Sequence, residues 1–513
     1  MKNRKIKIGL IAIVIALLWT LTVSAATADT GIGAPDLTGK RIGVQTGTTA
    51  EQYCLNKIEN PKIFYFETSA DMLLALREDR VDAIIENEPC ILYLASTVND
   101  LSVYRLDEEH HEDFAPAFGR TEKGKKLKEQ YDSFYTELDK SGDVELLRDK
   151  WLNGTEENRT IFDYESLPDT NGILHIATEP TYPPFQYVKD NKLTGFEVEL
   201  VALFCKQYGY KPVYDFLPFT GIISGVASGK YDMTISALVI TPERSKSVLF
   251  GLPHSVTYLA AGVLSDTAVS SDNAGSGMTL AQKIEATFIR EDRWKMFVDG
   301  ILVTLRISLF SILFGTALGF LIFMITRKGN HTAEVITAFC KSVIRGFPVV
   351  VLLMILFYVV FAKSGLSAEW VAVIGFTLTF ACDVHGLLTM GEKSVNPGQM
   401  EAAYSLGYSD LKAFFRFILP QIVTYTLPAY KDAIDSHIKA TAIVGYISVV
   451  DVTRVGDIIR GRTYEAFLPL IAVSIIYFAL SFIIKLLLGA LAKKLDTRNR
   501  KESDILRGLK END

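Results

Sequence analysis

At 513 residues the chain exceeds the ~100–200 residues usual for one domain, and 49% hydrophobic against 22% charged residues excludes a disordered, collagen-like or disulfide-stapled architecture. A mean hydropathy of +0.21 points to a membrane. The net charge of −6 is split into +4 over 1–28, −15 over 29–296 (27 Lys and Arg against 42 Asp and Glu) and +5 over 297–513, so an acidic soluble half precedes a basic membrane half. The acidic half lacks the clustered cations that nucleic acid requires.

Residues 1–28 read as a secretory signal or a retained anchor, with basic MKNRKIK, an apolar run from Ile8 to Val23 and then SAATA. From about 37 to 264, β-branched runs such as KRIGVQTG, VDAII and ILHIATEP alternate with helical patterns such as FEVELVALFCKQYGY, the signature of an α/β region. The Ser-, Gly- and Ala-rich stretch after 264 opens a linker, 265–295. Uncharged runs at 307–326, 346–362 and 466–484 are long enough to span a bilayer. A shorter run at 370–382 and a charged-interrupted one at about 418–450 bring the expectation to five spans, with a tail at 496–513. Arg327, Lys328, Lys341, Arg345, Lys393, Lys412, Arg416 and a basic C-terminal end outnumber Lys363, Arg454, Arg460 and Arg462 on the other side, which predicts N-out and C-in.

Five scattered cysteines without a CxxC argue against metal and redox frameworks, and a Cys54–Cys90 disulfide stays open. Asp432, Asp435, His437 and Lys439 interrupt an apolar span. Ionisable groups there are costly and default to a pathway reading, and the spacing puts Asp432, Asp435 and Lys439 on one helical face, fit for mutual pairing or a path. Gly456-x4-Gly461-Arg462-Thr463 nearly spells a phosphate-binding loop, but Arg replaces Lys and the topology places it outside, so it is rejected as a nucleotide site. No nucleophile–base set stands out, which argues against an enzyme.

Glu401-Ala402-Ala403-x3-Gly407-x9-Phe417-x-Leu419-Pro420 resembles the EAA loop of ABC-importer permeases, with Phe417 where Ile is usual. GQMEAAYSLGYSDLKAFFRFILPQ, RGFP at 345–348, LPAYKDAIDSHIKATAIV and RTYEAFLPLIAVSIIYF resemble the polar amino acid branch, and the resemblance covers 293–495. It implies a five-span permease domain over 296–495, a cytoplasmic ABC ATPase dimer as partner, and a second permease subunit, by expectation a homodimer. Glu401, Ala402, Ala403 and Gly407 are then the ATPase-coupling residues. No cofactor is expected on this chain, since ATP is used by the partner.

The α/β half resembles type II solute-binding proteins for amino acids with its parts in permuted order. LTGKRIGVQTGTT precedes TYPPFQY, LTGFEVEL and ITPERSKSVLF, the reverse of the family's order. The expected fold is an α/β two-lobed type II periplasmic-binding-protein-like domain over 29–264, joined to an all-α multi-pass membrane domain. Its second lobe would occupy about 37–112 and its large lobe about 113–152 and 173–264, with 153–172 bridging the original termini. One of two strands crossing between lobes would be cut, freeing the hinge.

In that family the Arg of TPER grips the ligand α-carboxylate, which maps to Arg244 behind a Thr241 cap and Pro242 at the first helical position. Tyr182 and Phe219 match an aromatic pair around the ligand side chain. Ser236 matches a ligand contact, whereas Ala237 and Val239 replace hydroxyl residues. Gln45 and Thr49 lie on the matching loop of the other lobe. Asn87 stands where an Asp normally meets the α-ammonium; it supplies no charge, leaving Glu86 or Glu88 as substitutes. Glu179 precedes the YPPF segment, where some members place an acid. The function implied is the substrate-binding and permease subunit of a polar amino acid ABC importer, multi-pass in a bacterial inner membrane with the binding domain outside. The alternative is a ligand-gated channel or sensor on the same binding fold.

Overall fold

Alternation of short β-branched runs with helices builds two parallel-centred sheets before the first long apolar helix. The computed structural model describes residues 35–98, 100–107, 111–154, 157–265, 279–463 and 467–495. The signal or anchor segment 1–28, most of the Ser/Gly stretch and the tail 496–513 lie outside the described residues. The strands are β1 (Arg41–Gln45), β2 (Lys62–Phe66), β3 (Ala83–Asn87), β4 (Leu101–Arg105), β5 (Glu112–Phe114), β6 (Ala117–Phe118), β7 (Ile173–Thr178), β8 (Thr181–Tyr182), β9 (Gln186–Lys189), β10 (Lys192–Thr194), β11 (Lys211–Phe216), β12 (Met233–Thr234), β13 (Leu249–Phe250), β14 (Ser255–Thr257) and β15 (Leu259–Leu264).

One lobe holds the sheet β2-β1-β3-β15-β4 and the other β11-β7-β12-β6-β13. The two orders are equivalent: in each, three parallel strands are followed by an antiparallel fourth. That fourth strand, β15 or β6, is supplied by chain that has just crossed from the other lobe. Crossing chain is β5 in one direction and β14 in the other, and the two pair antiparallel from Glu112↔Thr257 to Phe114↔Ser255.

The expected single crossing is therefore corrected. Both crossings are intact, and residues 259–264 belong to the small lobe's sheet rather than the large lobe. The physical reason lies in that sheet: β15 fills the place between β3 and β4, satisfying backbone groups on both flanks. The ends of the domain thus fall inside the small lobe, and a paired hinge replaces a freed one.

In the large lobe, α1 (Glu122–Ser141) starts at the Thr121 side chain, which accepts from Gly124 N. It buries Leu127, Tyr131, Phe134 and Tyr135, one helical face at i, i+4, i+7 and i+8. α2 (Phe196–Tyr208) stops at Gly209, whose φ of 68° suits a residue without Cβ. The bridging segment lays Arg159, Tyr164 and Leu167 into buried positions.

The second half is helical: α3 (Arg293–Thr326), α4 (His331–Gly346), α5 (Val349–Ile355), α6 (Ala368–Ser394), α7 (Gly398–Ser405), α8 (Asp410–Ala413), α9 (Leu419–Ala440), α10 (Val452–Thr463) and α11 (Phe467–Leu495). The last part of the expected linker is itself helical, Leu280–Ile284, with a Thr279–Gln282 capping box. Among the described residues three helices are long and apolar enough to cross a membrane, and α4 with Val349–Val360 forms a fourth candidate bent by 102°. α9 has 22 residues, but Lys431, Asp432, Asp435 and Lys439 load its C-terminal half.

The two halves share a core. Leu217, Ile222, Val226 and Tyr231 of the large lobe cluster with Leu353, Phe357, Tyr358, Val444 and Ile447 of the helical half. All five cysteines are free, so the open Cys54–Cys90 pairing is not formed.

Candidate functional site

Gln45, Thr49, Asn87, Tyr182, Phe219, Ser236 and Arg244 line one small cavity between the lobes, with Thr48, Ala237 and Val239. Its volume of about 10 Å³ is near that of a single water probe, because the lobes bond directly across it. The Tyr182 hydroxyl donates to Asn87 Oδ1 at 3.0 Å, Gln45 Nε2 to Glu179 Oε2 at 3.0 Å, and Arg244 Nη2 to the Gly47 carbonyl at 3.0 Å. Each pair joins residues of opposite lobes, so access for a ligand requires the lobes to part and exchanges these bonds for new ones.

Thr241 does not line the cavity; its hydroxyl accepts from Arg244 N at 3.2 Å and starts the short helix Pro242–Ser247. The cap fixes the backbone from which the Arg244 guanidinium reaches over the Phe219 ring, 5.4 Å from its centroid. Desolvation lowers the Arg244 pKa from its ordinary value, yet a guanidinium stays charged. Gly47 has a φ of 78°, a conformation a Cβ would penalise, and this turn aims its carbonyl at Arg244.

Glu179 lies behind the lining rather than in it. Its carboxylate accepts from Gln45 and, at 3.0 Å, from Thr181 Oγ1; burial raises its pKa to about 7, opposed by nearby Arg454. Of the two acids offered as substitutes beside Asn87, Glu86 accepts from Ser69 Oγ at 2.7 Å, with burial raising its pKa to about 8. Glu88 pairs with Arg105 at 2.6 Å.

Two acids that sequence reasoning missed belong to this site. Glu197 is fully buried; it accepts from Ala237 N at 2.8 Å and bonds His254 Nε2 at 2.8 Å, pinning the turn where Ala237 takes a φ of 46°. Glu112, on crossing strand β5, accepts from Asn87 Nδ2 at 2.7 Å. The available signal was an acid in EDFA, the strand entering the large lobe.

On the far side of the helical half, α7 and α8 form two short helices whose junction, Gly407, has a φ of 81°. Glu401 and Ala402 are exposed, Ala403 is buried, and Leu406 is 75% exposed. Tyr408 packs edge-on against Phe417 with centroids 5.1 Å apart, so the aromatic departure anchors the bend. The loop thus presents charge and apolar surface together.

The family description "Bacterial extracellular solute-binding proteins, family 3" matches residues 174–413, beginning at β7 and running past the linker into the helical half. The helical half is similar to curated permeases. The L-cystine transport system permease protein TcyL of Bacillus subtilis (strain 168) is 31% identical over 187 residues, 35% of this chain and 78% of that protein. The chain belongs to the amino-acid permeases of ABC importers. The putative glutamine transport system permease protein GlnP of Rickettsia felis is 27% identical over 202 residues, covering 39% of this chain and 92% of that one. A solved amino acid ABC transporter with histidines is 26% identical, with a TM-score of 0.38, over 42% of this chain and 99% of that chain. The importer subunit is thus a solute-binding domain fused to a permease in a membrane; it is a transport protein rather than an enzyme and works with an ABC ATPase.

Within the importer subunit, the expected face of Asp432, Asp435 and Lys439 is divided. Asp435 is buried and paired with Lys439 at 2.8 Å, with Lys485 of α11 at 3.0 Å and with Ser481, while Asp432 is exposed. His437 is buried against Phe376 and Phe380 and bonds Ser311 Oγ at 2.7 Å. Asp435 therefore ties α9 to α11 and pairs with Lys439 of the expected face.

The near phosphate-loop sequence falls on α10, which reaches both lobes. Arg460 pairs with Asp71 of the small lobe at 3.2 Å, and Arg454 donates to the Leu217 carbonyl of the large lobe at 3.0 Å. Tyr446, just upstream, donates to Glu67 of the small lobe at 3.0 Å. The importer subunit's receptor is docked on its own permease with its lobes shut.

Proposed function

We propose that this chain captures a polar L-amino acid between the two lobes on the extracytoplasmic side of a bacterial inner membrane and passes it to its own helices. The observation that carries this reading is the convergence of Gln45, Thr49, Asn87, Tyr182, Phe219, Ser236 and Arg244, scattered over 200 positions, on one interlobe cleft. Arg244 grips the α-carboxylate bidentately, Tyr182 and Phe219 flank the side chain, and Gln45, Thr49, Asn87 and Ser236 offer polar contacts. Thr241 and Glu179 act from behind, the first by capping, the second by holding Gln45.

The binding domain is read as a circular permutation whose new ends lie in the small lobe and whose original ends are bridged by 153–172. The helical half is read as five spans, with α9 as the fifth. Two copies pair as a homodimer, and an ABC ATPase dimer docks on Glu401, Ala402, Ala403 and Gly407 from the cytoplasm. ATP binding there alternates the exposure of the pathway, along which exposed Asp432 lies.

Calorimetry on the intact chain in nanodiscs tests the reading, with wild type and Arg244→Ala titrated against the L-amino acids and L-cystine. Micromolar binding of one or two polar amino acids that is lost in the variant supports it. Silence across the panel refutes the substrate class.

A further inference from the structure

An amino acid brings an ammonium as well as a carboxylate, and the cleft offers Arg244 for the latter. Asn87, at the position expected to meet the ammonium, brings no charge. Of the neighbouring acids, Glu88 pairs with Arg105 and Glu179 accepts from Gln45 and Thr181, while Glu86 gives one oxygen to Ser69 and its other, Oε2, is buried and makes no hydrogen bond among the described residues. Asp113, the next residue on β5, faces His111 at 3.8 Å.

Glu112 differs from all of these. Its Oε2 is 2.7 Å from Asn87 Nδ2, and Thr49 is near enough to favour its charged form; Asn87 and Thr49 both line the cleft. Arg244 is near enough to act on it electrostatically. One carboxylate therefore stands beside two of the polar lining residues of the small lobe and within the field of the carboxylate-binding Arg. It also sits on β5, the hinge, where its register partner is Thr257 of the returning strand, so it stays near both lobes as they part.

We infer that Glu112 is the anionic partner of the ligand's α-ammonium, taking over from the hinge the charge that Asn87 lacks and restricting this cleft to ligands with a cationic amine beside the carboxylate. Asn87 orients the Glu112 carboxylate through its amide and turns its own carbonyl toward Tyr182. Binding is then dipolar: Arg244 takes the carboxylate, Glu112 the ammonium, and the aromatic pair the side chain. Burial raises the Glu112 pKa against the pull of Thr49, Asn87 and Arg244; an arriving ammonium would restore its preference for the charged form. The inference rests on the proposed amino-acid reading of the cleft.

Glu112→Gln is the decisive substitution, because the side-chain carbonyl still accepts from Asn87 while the charge is gone. Intact chain in nanodiscs would be titrated with L-glutamine, L-arginine, L-cystine and, for each that binds, the matching 2-hydroxy acid, in which a hydroxyl replaces the ammonium. Wild type should prefer the amino acid by roughly 10- to 150-fold, the worth of a hydrogen bond to a charged group. Glu112→Gln should weaken amino-acid binding by a similar factor and leave the hydroxy acid within about threefold. Adding Asn87→Asp to Glu112→Gln should restore the preference. Unchanged discrimination in Glu112→Gln overturns the assignment while leaving the cleft an amino-acid site. A wild type that binds no amino acid but a hydroxy acid, or nothing, overturns the underlying reading and the assignment with it.

Discussion

Gly461 packs the importer subunit's permease directly against Thr181 of its receptor. A Cβ there would sit 2.9 Å from Thr181 Cγ2 and 3.1 Å from Thr181 Cβ, against the ~3.5–4.0 Å of a comfortable carbon contact. Thr181 cannot easily give way: it is β-branched, lies in β8 and is tied by its hydroxyl to Glu179. Gly461→Ala therefore overpacks the junction, at about 1–3 kcal/mol, which shifts the docked-to-undocked ratio about 5- to 150-fold. The gain of helix propensity in α10 is common to both states and cancels. Spin labels at exposed Lys140 of α1 and Lys363 between α5 and α6, on a Cys340→Ser background in nanodiscs, read the ratio as a distance distribution. Gly461→Ala should populate longer distances, and Thr181→Ser, which removes the Cγ2 but keeps the hydroxyl, should recover part of the loss. A distribution identical to wild type would refute the argument that this glycine sets the docking.

Three further outcomes are expected. Gly407→Val places a β-branched residue at a φ of 81° where nothing crowds the Cβ, so the cost is backbone strain of about 1–2 kcal/mol; partner ATPase stimulation should fall while calorimetric ligand binding is unchanged. Glu179 and Glu86 have pKa values raised to about 7 and about 8 by burial, so the stability they lend is full below ~4.5 and is lost as pH rises through those values. The thermal unfolding temperature of the receptor half should therefore drop between about pH 4.5 and 8, Glu179→Gln flattening the fall up to about 7 and Glu86→Gln flattening it up to about 8. Asp435→Ala leaves the exposed Lys439 and Lys485 without their shared carboxylate at the α9–α11 contact, and the melting temperature in detergent should fall by an amount corresponding to about 1 kcal/mol; Asp432→Ala, at an exposed position, should not lower it.

What could be read in advance was local. The Glu401–Gly407 loop is written within a dozen residues, and its two helices with a positive-φ glycine between them follow from that string. The cleft residues Arg244, Tyr182 and Gln45 were legible because each falls in a short string, TPER, TYPPFQY or LTGKRIGVQTGTT, that resembles the binding-protein family. What escaped depends on partners far along the chain. Arg460 meets Asp71 across 389 positions and Asp435 meets Lys485 across 50, and no periodicity carries such pairings. The hinge was misread for the same reason: β15 looks like one more apolar strand, and only its register against β3 and β4 shows which sheet it completes. Glu112 was overlooked because an acid in a three-residue strand resembles any solvated turn until Asn87 is placed against it.

The placement of β15 also decides where the leash is tied. Chain leaves the binding domain for the membrane from the end of β15, and the N-terminal segment arrives beside β1, two strands away in the same sheet. The covalent link to the helical half therefore pulls on the small lobe, and the large lobe follows it through the paired hinge. Thirteen residues, 266–278, separate the end of the described binding domain from the helical half, a contour of at most ~45 Å. A receptor covalently joined to its permease need not find it by diffusion through the bulk.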